Sequence, residues 1–235
     1  MSWFFKKKFS IAGSGILQGR QDCHCHLVYG VDDGVKVLSE ALDTLEWMEQ
    51  GLGLKEVWFT PHIMEDYPNT TESLKQRFKE ICQAYDGSLR LHLAAEYMLD
   101  ELFERRLEAE DLLLHRDGGV LVETSTLLPP INLWKTLDRI IRLGYKPILA
   151  HPERYLYMGS GDYSHLHEMG VTMQLNLPSC AGFYGRDAQE KASYLLDKGW
   201  YGMAGSDCHN LSITKKMYSS KALEESTIRK IAAIA

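Results

Sequence analysis

Residues 147–154 read Pro147-Ile148-Leu149-Ala150-His151-Pro152-Glu153-Arg154, a short apolar run that leads directly into histidine, glutamate and arginine. An apolar run of this length predicts a β-strand. The same arrangement recurs along the chain, and longer segments with helical periodicity separate the apolar runs. Strands that alternate with helices in this way form parallel sheets with helical crossovers. The sequence therefore predicts an α/β fold.

The predicted helices lie between the predicted strands. Apolar residues recur at i, i+3 and i+4 over Val37–Gln50, which is typical of an amphipathic helix with one face on a core. The predicted strands are the segment that runs into Asp22 and residues 55–60, 89–95, 120–122, 147–150, 171–177 and 200–205. Together they give about seven strand–helix units.

Histidine and carboxylate side chains follow six of these strands. They are His24 and His26, His62, Glu96, Glu123, His151, and the pair Asp207 and His209. A closed β/α barrel would bring six strand ends around one point, and proteins of this fold carry their chemistry at that end. Any one of these residues could be an ordinary hydrogen-bonded strand terminus. The complete set favours a metal site, because imidazole and carboxylate groups are common metal ligands.

The first motif is Asp22-Cys23-His24-Cys25-His26. Alternate residues of an extended segment share a face, so His24 and His26 point together and the two cysteines point away. Asp33 lies in the loop that follows and is a further candidate ligand, although Asp32-Asp33-Gly34 would also suit a turn with solvated carboxylates.

Glu96 and Glu123 emerge from apolar segments, where an unpaired carboxylate would be costly to bury. Eight to nine candidate ligands exceed the needs of one metal and suit three metals that share carboxylate bridges. The remaining histidines are interpreted as structural or surface residues; they are His92, His115, His165 and His167.

Composition limits the class of protein. The chain has 235 residues and a net charge of −6, which weighs against a nucleic-acid partner. Five cysteines without a C-x-x-C pair, and the lack of a secretory signal or a long apolar run, favour a cytoplasmic protein. We expect residues 1–19 to form a flexible N-terminal segment and residues 20–235 to form a single barrel domain. Trp3, Phe4, Phe5 and the lysines after them could give weak contact with a membrane surface, or simply form a frayed terminus.

The order of the motifs resembles the polymerase-and-histidinol-phosphatase (PHP) superfamily, and within it the protein-tyrosine phosphatases of bacterial capsule and exopolysaccharide loci. The motifs are H-x-H at 24–26, D-D-G at 32–34, T-P-H at 60–62, A-E at 95–96, V-E at 122–123, A-H-P-E-R at 150–154 and S-D-x-H-N at 206–210. The resemblance covers roughly residues 20–212. Residues 180–185 and the A-H-P-E-R-Y stretch favour the tyrosine phosphatase branch over the histidinol phosphatases.

The resemblance implies a distorted TIM-like (β/α)7 barrel with three divalent metal ions at the carboxyl ends of the strands. Manganese is the expected metal, with iron, zinc, cobalt and magnesium as alternatives. By likeness the first metal is held by His24, His26, Glu96 and Asp207, the second by Glu96, Glu123 and His151, and the third by Asp33, His62 and His209. Arg154 is implied to bind the substrate phosphate, with Asp207 and His209 also assigned to catalysis.

The implied reaction is hydrolysis of a tyrosine phosphate by metal-activated water, without a covalent protein intermediate. The implied partner is the tyrosine-phosphorylated tail of a membrane-associated bacterial kinase of capsule or exopolysaccharide assembly. Three alternatives remain open: a PHP phosphoesterase that acts on histidinol phosphate or nucleic-acid ends, a non-catalytic partner of a kinase whose barrel is stabilised by metal, and a thiol phosphatase that uses Cys180 and Arg186 in C-x5-R spacing. The thiol route would leave the candidate metal ligands without a role.

Overall fold

The structure is a computed structural model that describes residues 7–234. The strands are β1 (Gln21–Cys25), β2 (Glu56–Phe59), β3 (His62–Ile63), β4 (Arg90–Leu93), β5 (Glu96–Met98), β6 (Gly119–Glu123), β7 (Lys146–Ala150), β8 (Thr172–Asn176) and β9 (Tyr201–Gly205). The helices are α1 (Leu38–Glu46), α2 (Thr71–Ala84), α3 (Glu101–Glu108), α4 (Leu133–Arg142), α5 (Ser160–Glu168), α6 (Leu177–Cys180), α7 (Gly185–Lys198), α8 (Leu211–Ser219) and α9 (Glu225–Ala232).

Every named strand pair is parallel, which confirms the predicted α/β fold. One sheet has the order β1-β2-β4 and the other the order β3-β5-β6-β7-β8-β9. Two segments of the chain connect the sheets. In the first, β2 is followed by β3 after Thr60 and Pro61; in the second, β4 is followed by β5 after Ala94 and Ala95. When β2 and β3 are counted as one strand position and β4 and β5 as another, the chain has seven strand positions, the number expected from the sequence.

The circuit of strands is completed between β1 and the segment after β9. Asp207 N–H donates to the His24 carbonyl at 2.8 Å, and His26 N–H donates to the Cys208 carbonyl at 2.9 Å. These bonds bring the first strand beside the last, in an irregular barrel-like ring. The carboxyl ends of β1, β3, β5, β6, β7 and β9 consequently face one region, as the barrel prediction requires.

The helices pack their apolar faces on this ring. Ala41 and Leu45 of α1 and Leu74 and Ile81 of α2 are fully buried. The predicted helix over Val37–Gln50 begins at Leu38, and its last turn, Trp47–Gly51, is a π-helical turn.

Part of the predicted N-terminal segment contacts the rest of the protein. Phe9 forms an antiparallel bridge with Leu223, and the side chain of Ile11 is buried. The division at residue 20 stays a prediction. Trp3, Phe4 and Phe5 lie outside the described residues, and so does the proposed membrane contact. Within residues 7–234, no helix combines the length and apolar character that a membrane crossing requires.

Candidate metal centre

Two histidines at the end of β1 form the innermost part of the site. His24 and His26 are fully buried, and their Nε2 atoms lie 3.0 Å apart. The other ring nitrogen of each has a fixed acceptor: His24 Nδ1–H donates to Gln174 Oε1 at 3.0 Å, and His26 Nδ1–H donates to Asp32 Oδ2 at 2.9 Å. Both Nε2 atoms are therefore left with lone pairs directed into the same small space.

Glu96, at the start of β5, reaches this space with both oxygens. Its Oε2 lies 3.2 Å from His24 Nε2 and 3.3 Å from His26 Nε2. Its Oε1 lies 3.1 Å from Nε2 of His151, which follows β7. Asp207 completes the group, with Oδ1 at 3.4 Å from His24 Nε2 and 3.5 Å from His26 Nε2. Glu96 is thus placed between two sets of imidazoles, as a bridging carboxylate would be.

The remaining candidates lie on the open side of Glu96. His62 Nδ1 is 3.1 Å from Glu123 Oε1, and Asp33 Oδ1 is 3.2 Å from His209 Nε2 and 3.5 Å from His62 Nε2. All nine residues predicted as ligands thus meet in one centre. Ligand atoms of seven of them fall into three overlapping groups: His24, His26 and Glu96; His62, Glu96 and Glu123; and His26, Asp33, His62 and His209. His151 and Asp207 join the centre through their contacts with Glu96 and with the histidines of β1.

These three groups differ in part from the division that the resemblance implies. Among the described residues, His26 joins the group of Asp33, and His62 is nearer than His151 to Glu123: His151 Nε2 is 3.8 Å from Glu123 Oε2. The assignment of particular ligands to three separate metals stays a prediction.

The chemistry of this donor set fits divalent cations. Imidazole lone pairs and carboxylate oxygens converge in a buried space, and such a set repels itself unless positive charge lies between its members. Without a metal, protons must supply that charge. Burial opposes protonation of His24, yet the carboxylates of Glu96 and Asp207 outweigh it and raise the pKa of His24 to about 9. Burial likewise disfavours ionised Glu96, but the facing histidines hold its pKa well below the usual range.

Two of these residues have unusual backbone. His151 has φ of 34° and Asp207 has φ of 54°, in the left-handed region that residues other than glycine rarely adopt. Both follow the ends of strands, where a left-handed residue turns the chain sharply across the top of the ring. Strain of this kind is concentrated at functional sites.

Arg154 lies beside the centre, in the turn after His151. Its Nη1 donates to Asp207 Oδ2 at 2.6 Å, and its guanidinium lies 4.3 Å from the ring centre of Tyr184. A cavity of about 330 Å³ opens here. Its lining includes Arg154, Tyr184 and seven of the nine candidate ligands, namely Asp33, His62, Glu96, Glu123, His151, Asp207 and His209.

Several residues of the site were not predicted as functional from the sequence. Asp32 and Gln174 orient the two histidines of β1, and Asn176 Nδ2 donates to Asp207 Oδ2 at 2.8 Å. Gln174 and Asn176 are polar residues inside the apolar predicted strand 171–177, which is a signal that could have identified them. Tyr184 belongs to the 180–185 motif but had no role assigned to it.

The structure gives the thiol alternative no support. Cys180 is buried, and burial raises the pKa of its thiol well above the usual range. The Arg186 side chain is largely exposed and donates from Nε to Glu190 Oε1 at 2.6 Å. The spacing of Cys180 and Arg186 is thus not accompanied by the reactive thiolate that such an enzyme needs.

The fold and this centre define a barrel-like α/β protein with a histidine–carboxylate centre at its strand ends. More specifically, the chain belongs to the family described as capsular polysaccharide synthesis, CpsB/CapC, which matches residues 20–230.

Relatives with assigned names are similar over most of their length. Tyrosine-protein phosphatase CpsB of Streptococcus pneumoniae is 27% identical over 230 residues, covering 87% of this chain and 93% of the relative. Tyrosine-protein phosphatase CpsB of Streptococcus agalactiae is 25% identical over 210 residues, covering 82% and 84%.

A solved structure supports the fold. A chain from the crystal structures of YwqE from Bacillus subtilis and CpsB from Streptococcus pneumoniae, described as unique metal-dependent tyrosine phosphatases, matches with a TM-score of 0.71. It is 24% identical, and the match covers 83% of this chain and 81% of that chain.

Proposed function

We propose that this protein is a metal-dependent protein-tyrosine phosphatase that hydrolyses phosphotyrosine monoesters. The observation that carries the proposal is the cluster of nine candidate nitrogen and oxygen ligands, seven of which line a cavity that is also lined by Arg154. The names of the CpsB relatives support phosphotyrosine as the substrate class.

The nine candidate ligands would hold divalent cations, three in number by the resemblance and with manganese expected. Such cations, when bound, supply positive charge to the phosphate oxygens and lower the pKa of water. Asp32 and Gln174 keep the imidazoles of His26 and His24 oriented, so that the ligand atoms need no rearrangement.

Arg154 would bind the phosphate. Among the described residues, Asp207 is the one hydrogen-bond partner of its guanidinium, so the remaining N–H groups can reach a phosphate in the cavity. A charge-assisted contact of this kind stabilises charge that builds up on the transferred group. The phenolate of tyrosine, with a pKa near ~10, is also a better leaving group than a serine alkoxide.

Asp207 would serve both the centre and the arginine, because Oδ1 faces the histidines and Oδ2 accepts from Arg154 and Asn176. His209, whose Nε2 faces Asp33, would complete the catalytic set that the resemblance implies. We further propose a cytoplasmic location and, as the protein substrate, the tyrosine-phosphorylated tail of a capsule-assembly kinase.

The test compares hydrolysis of phosphotyrosine and phosphoserine peptides by the purified protein, with manganese or with a chelator. We expect manganese-dependent turnover of phosphotyrosine, little turnover of phosphoserine, and near-complete loss in His151→Ala. Cys180→Ser is the matched control and should keep nearly full activity. Equal turnover of both peptides would refute the tyrosine assignment, and chelator-resistant activity lost in Cys180→Ser would refute the metal mechanism.

A further inference from the structure

Two side chains contact the guanidinium of Arg154: Asp207, a candidate metal ligand, accepts a hydrogen bond from it, and the ring of Tyr184 lies against it. The hydrogen bond runs from Arg154 Nη1 to Asp207 Oδ2 at 2.6 Å. A single hydrogen bond at Nη1 does not by itself set the plane of the guanidinium, because rotation about the side-chain bonds of Arg154 can still tilt it. Its N–H groups would then sweep through a range of directions instead of aiming at one point in the cavity.

Tyr184 supplies the contact that stops this rotation. Its ring centre lies 4.3 Å from the Arg154 guanidinium carbon, within the range of a cation–π contact. Arg154 and Tyr184 both line the cavity, and the Arg154 side chain is only 24% exposed. With Asp207 hydrogen-bonded to Nη1 and the guanidinium carbon over the Tyr184 ring, the guanidinium is held by two different contacts.

The loop that carries Tyr184 is built to present it. Gly182 has φ of 81° and Gly185 has φ of 90°, and a side chain at either position would be strained. Phe183 N–H donates to the Pro178 carbonyl at 3.3 Å, and Gly185 N–H donates to the Gly182 carbonyl at 3.2 Å. These tight turns leave Phe183 on the exposed side and direct Tyr184 to Arg154.

We infer that Tyr184 is a positioning residue for phosphate recognition, which acts by holding the plane of Arg154 so that its free N–H groups face the bound phosphate. This inference rests on the proposed phosphatase function. It gives a role to the 180–185 segment that neither the metal ligands nor the thiol alternative explains. Tyr184→Phe keeps the ring against Arg154 and removes only the hydroxyl, which interacts with Asn176, so it should keep most of the phosphate affinity.

The experiment measures competitive inhibition by inorganic phosphate and the KM and kcat for a phosphotyrosine peptide, in the manganese-loaded enzyme. In Tyr184→Ala we expect the inhibition constant and KM to rise together by about 3- to 30-fold, the equivalent of a partly desolvated cation–π contact. Tyr184→Phe should stay within about twofold of the wild type. Bound manganese per chain should be unchanged in both variants.

Phe183→Ala is the matched control, because it removes an aromatic ring from the neighbouring position of the same loop. It should leave phosphate affinity unchanged. The decisive measurement is a double-mutant cycle: in an Arg154→Ala background, Tyr184→Ala should have no further effect on phosphate inhibition, since the group that it positions is gone. A merely structural role would give additive losses instead.

Three results would overturn the inference: additive effects in the cycle, equal losses in Tyr184→Phe and Tyr184→Ala, or equal losses in Tyr184→Ala and Phe183→Ala. Each of these requires an active wild-type enzyme. A wild type that fails to hydrolyse phosphotyrosine would instead refute the proposed function, so the two failures are distinguishable.

Discussion

Arg154 is the proposed phosphate-binding residue and also donates a hydrogen bond to the candidate ligand Asp207. Removing it in Arg154→Ala should lower kcat/KM for a phosphotyrosine peptide by ~10²–10³, because one charge-assisted donor to the reacting group is lost. Arg154→Lys should restore only part of the rate, since an ammonium group lacks the planar fork that contacts two phosphate oxygens. Steady-state kinetics with metal analysis give the measurement. An unchanged rate in Arg154→Ala would exclude the arginine from the mechanism.

His115 allows a pH-dependent prediction at a distance from the centre. It is a buried histidine whose Nε2–H donates to the Cys23 carbonyl at 3.2 Å, while its Nδ1 accepts from Arg116 N–H at 2.9 Å. Both ring nitrogens are thus satisfied in the neutral form. Burial lowers the pKa of His115 to about 3, against the opposing effect of the hydrogen bond to Cys23.

Proton binding at His115 determines whether acid raises or lowers the free energy of unfolding. Between pH 3 and about 6.5, the unfolded chain binds a proton at this histidine and the folded protein does not, so acid favours unfolding. This residue should contribute up to ~1.4 kcal/mol per pH unit to the slope of the unfolding free energy in that window. In His115→Gln we expect a shallower loss of stability as the pH falls, measured by urea unfolding. Parallel pH profiles for the two proteins would contradict the assignment.

For single residues, the sequence predicted the candidate ligands but not the residues that orient them. His24 could be predicted because it shares a strand face with His26, and Glu96 and Glu123 because each emerges from an apolar segment at a strand end. Asp32 was interpreted as a turn residue, since nothing local shows that its carboxylate reaches Nδ1 of His26. Supports of this kind depend on contacts between distant segments, and one sequence does not specify those.

Among the elements, the junction of β1 and β9 controls the centre. Gly205, the last residue of β9, lies so close to β1 that an added Cβ would be 2.5 Å from the His24 Cβ and 3.0 Å from the His24 backbone nitrogen. Gly205→Ala must therefore displace one strand from the other, and with it His24 or Asp207. We expect a loss of ~1–3 kcal/mol in unfolding free energy and weaker manganese binding, measured by chemical unfolding and calorimetry.

The control for this change is another glycine. Gly161 lies in α5, and nothing stands within 4 Å of the position that its Cβ would occupy. Gly161→Ala should therefore leave manganese binding unchanged and raise stability by up to ~1 kcal/mol. Equal manganese affinity in Gly205→Ala and Gly161→Ala would show that the strand junction does not control the centre.

The predicted strands match the structure except where the chain departs from simple alternation, whereas helices α5 and α8 were not predicted. The segment predicted as a strand at 89–95 contains β4, which ends at Leu93. After Ala94 and Ala95 the chain continues as β5, which belongs to the other sheet. Helix α6, only four residues long, lies at the end of the predicted strand 171–177. Apolar periodicity indicates the type of an element, but it does not show where a sheet is interrupted or where a short helix is inserted.

For the whole molecule, the centre should couple metal binding to stability. The unfolded chain cannot assemble ligands from six strand ends, so a cation binds the folded state preferentially and raises its stability by mass action. At a free manganese concentration of 100 times Kd, the gain is about 2.7 kcal/mol for one site. We expect a higher Tm with manganese than with a chelator, measured by thermal unfolding.

Two carboxylate-to-amide substitutions test which part of the protein binds the stabilising manganese. Glu96→Gln weakens the carboxylate that lies between the histidines and should remove most of the manganese-induced rise in Tm. Asp138→Asn, at a half-exposed carboxylate paired with Arg142 on α4, should keep it. A rise in Tm that survives in Glu96→Gln would place the stabilising cation elsewhere.

The left-handed backbone at His151 and Asp207 influences which ligand residues, and therefore which metals, this centre can acquire during evolution. Left-handed conformations are tolerated best by asparagine, aspartate, histidine and glycine. Cysteine and glutamate are found there less often, although Glu110 of this chain has φ of 54°, so a thiolate or a longer carboxylate at either position would add backbone strain. The backbone at these two corners therefore favours imidazole nitrogen and short oxygen donors over thiolate sulfur. Such donors suit manganese, iron and zinc better than metals that demand soft sulfur ligands.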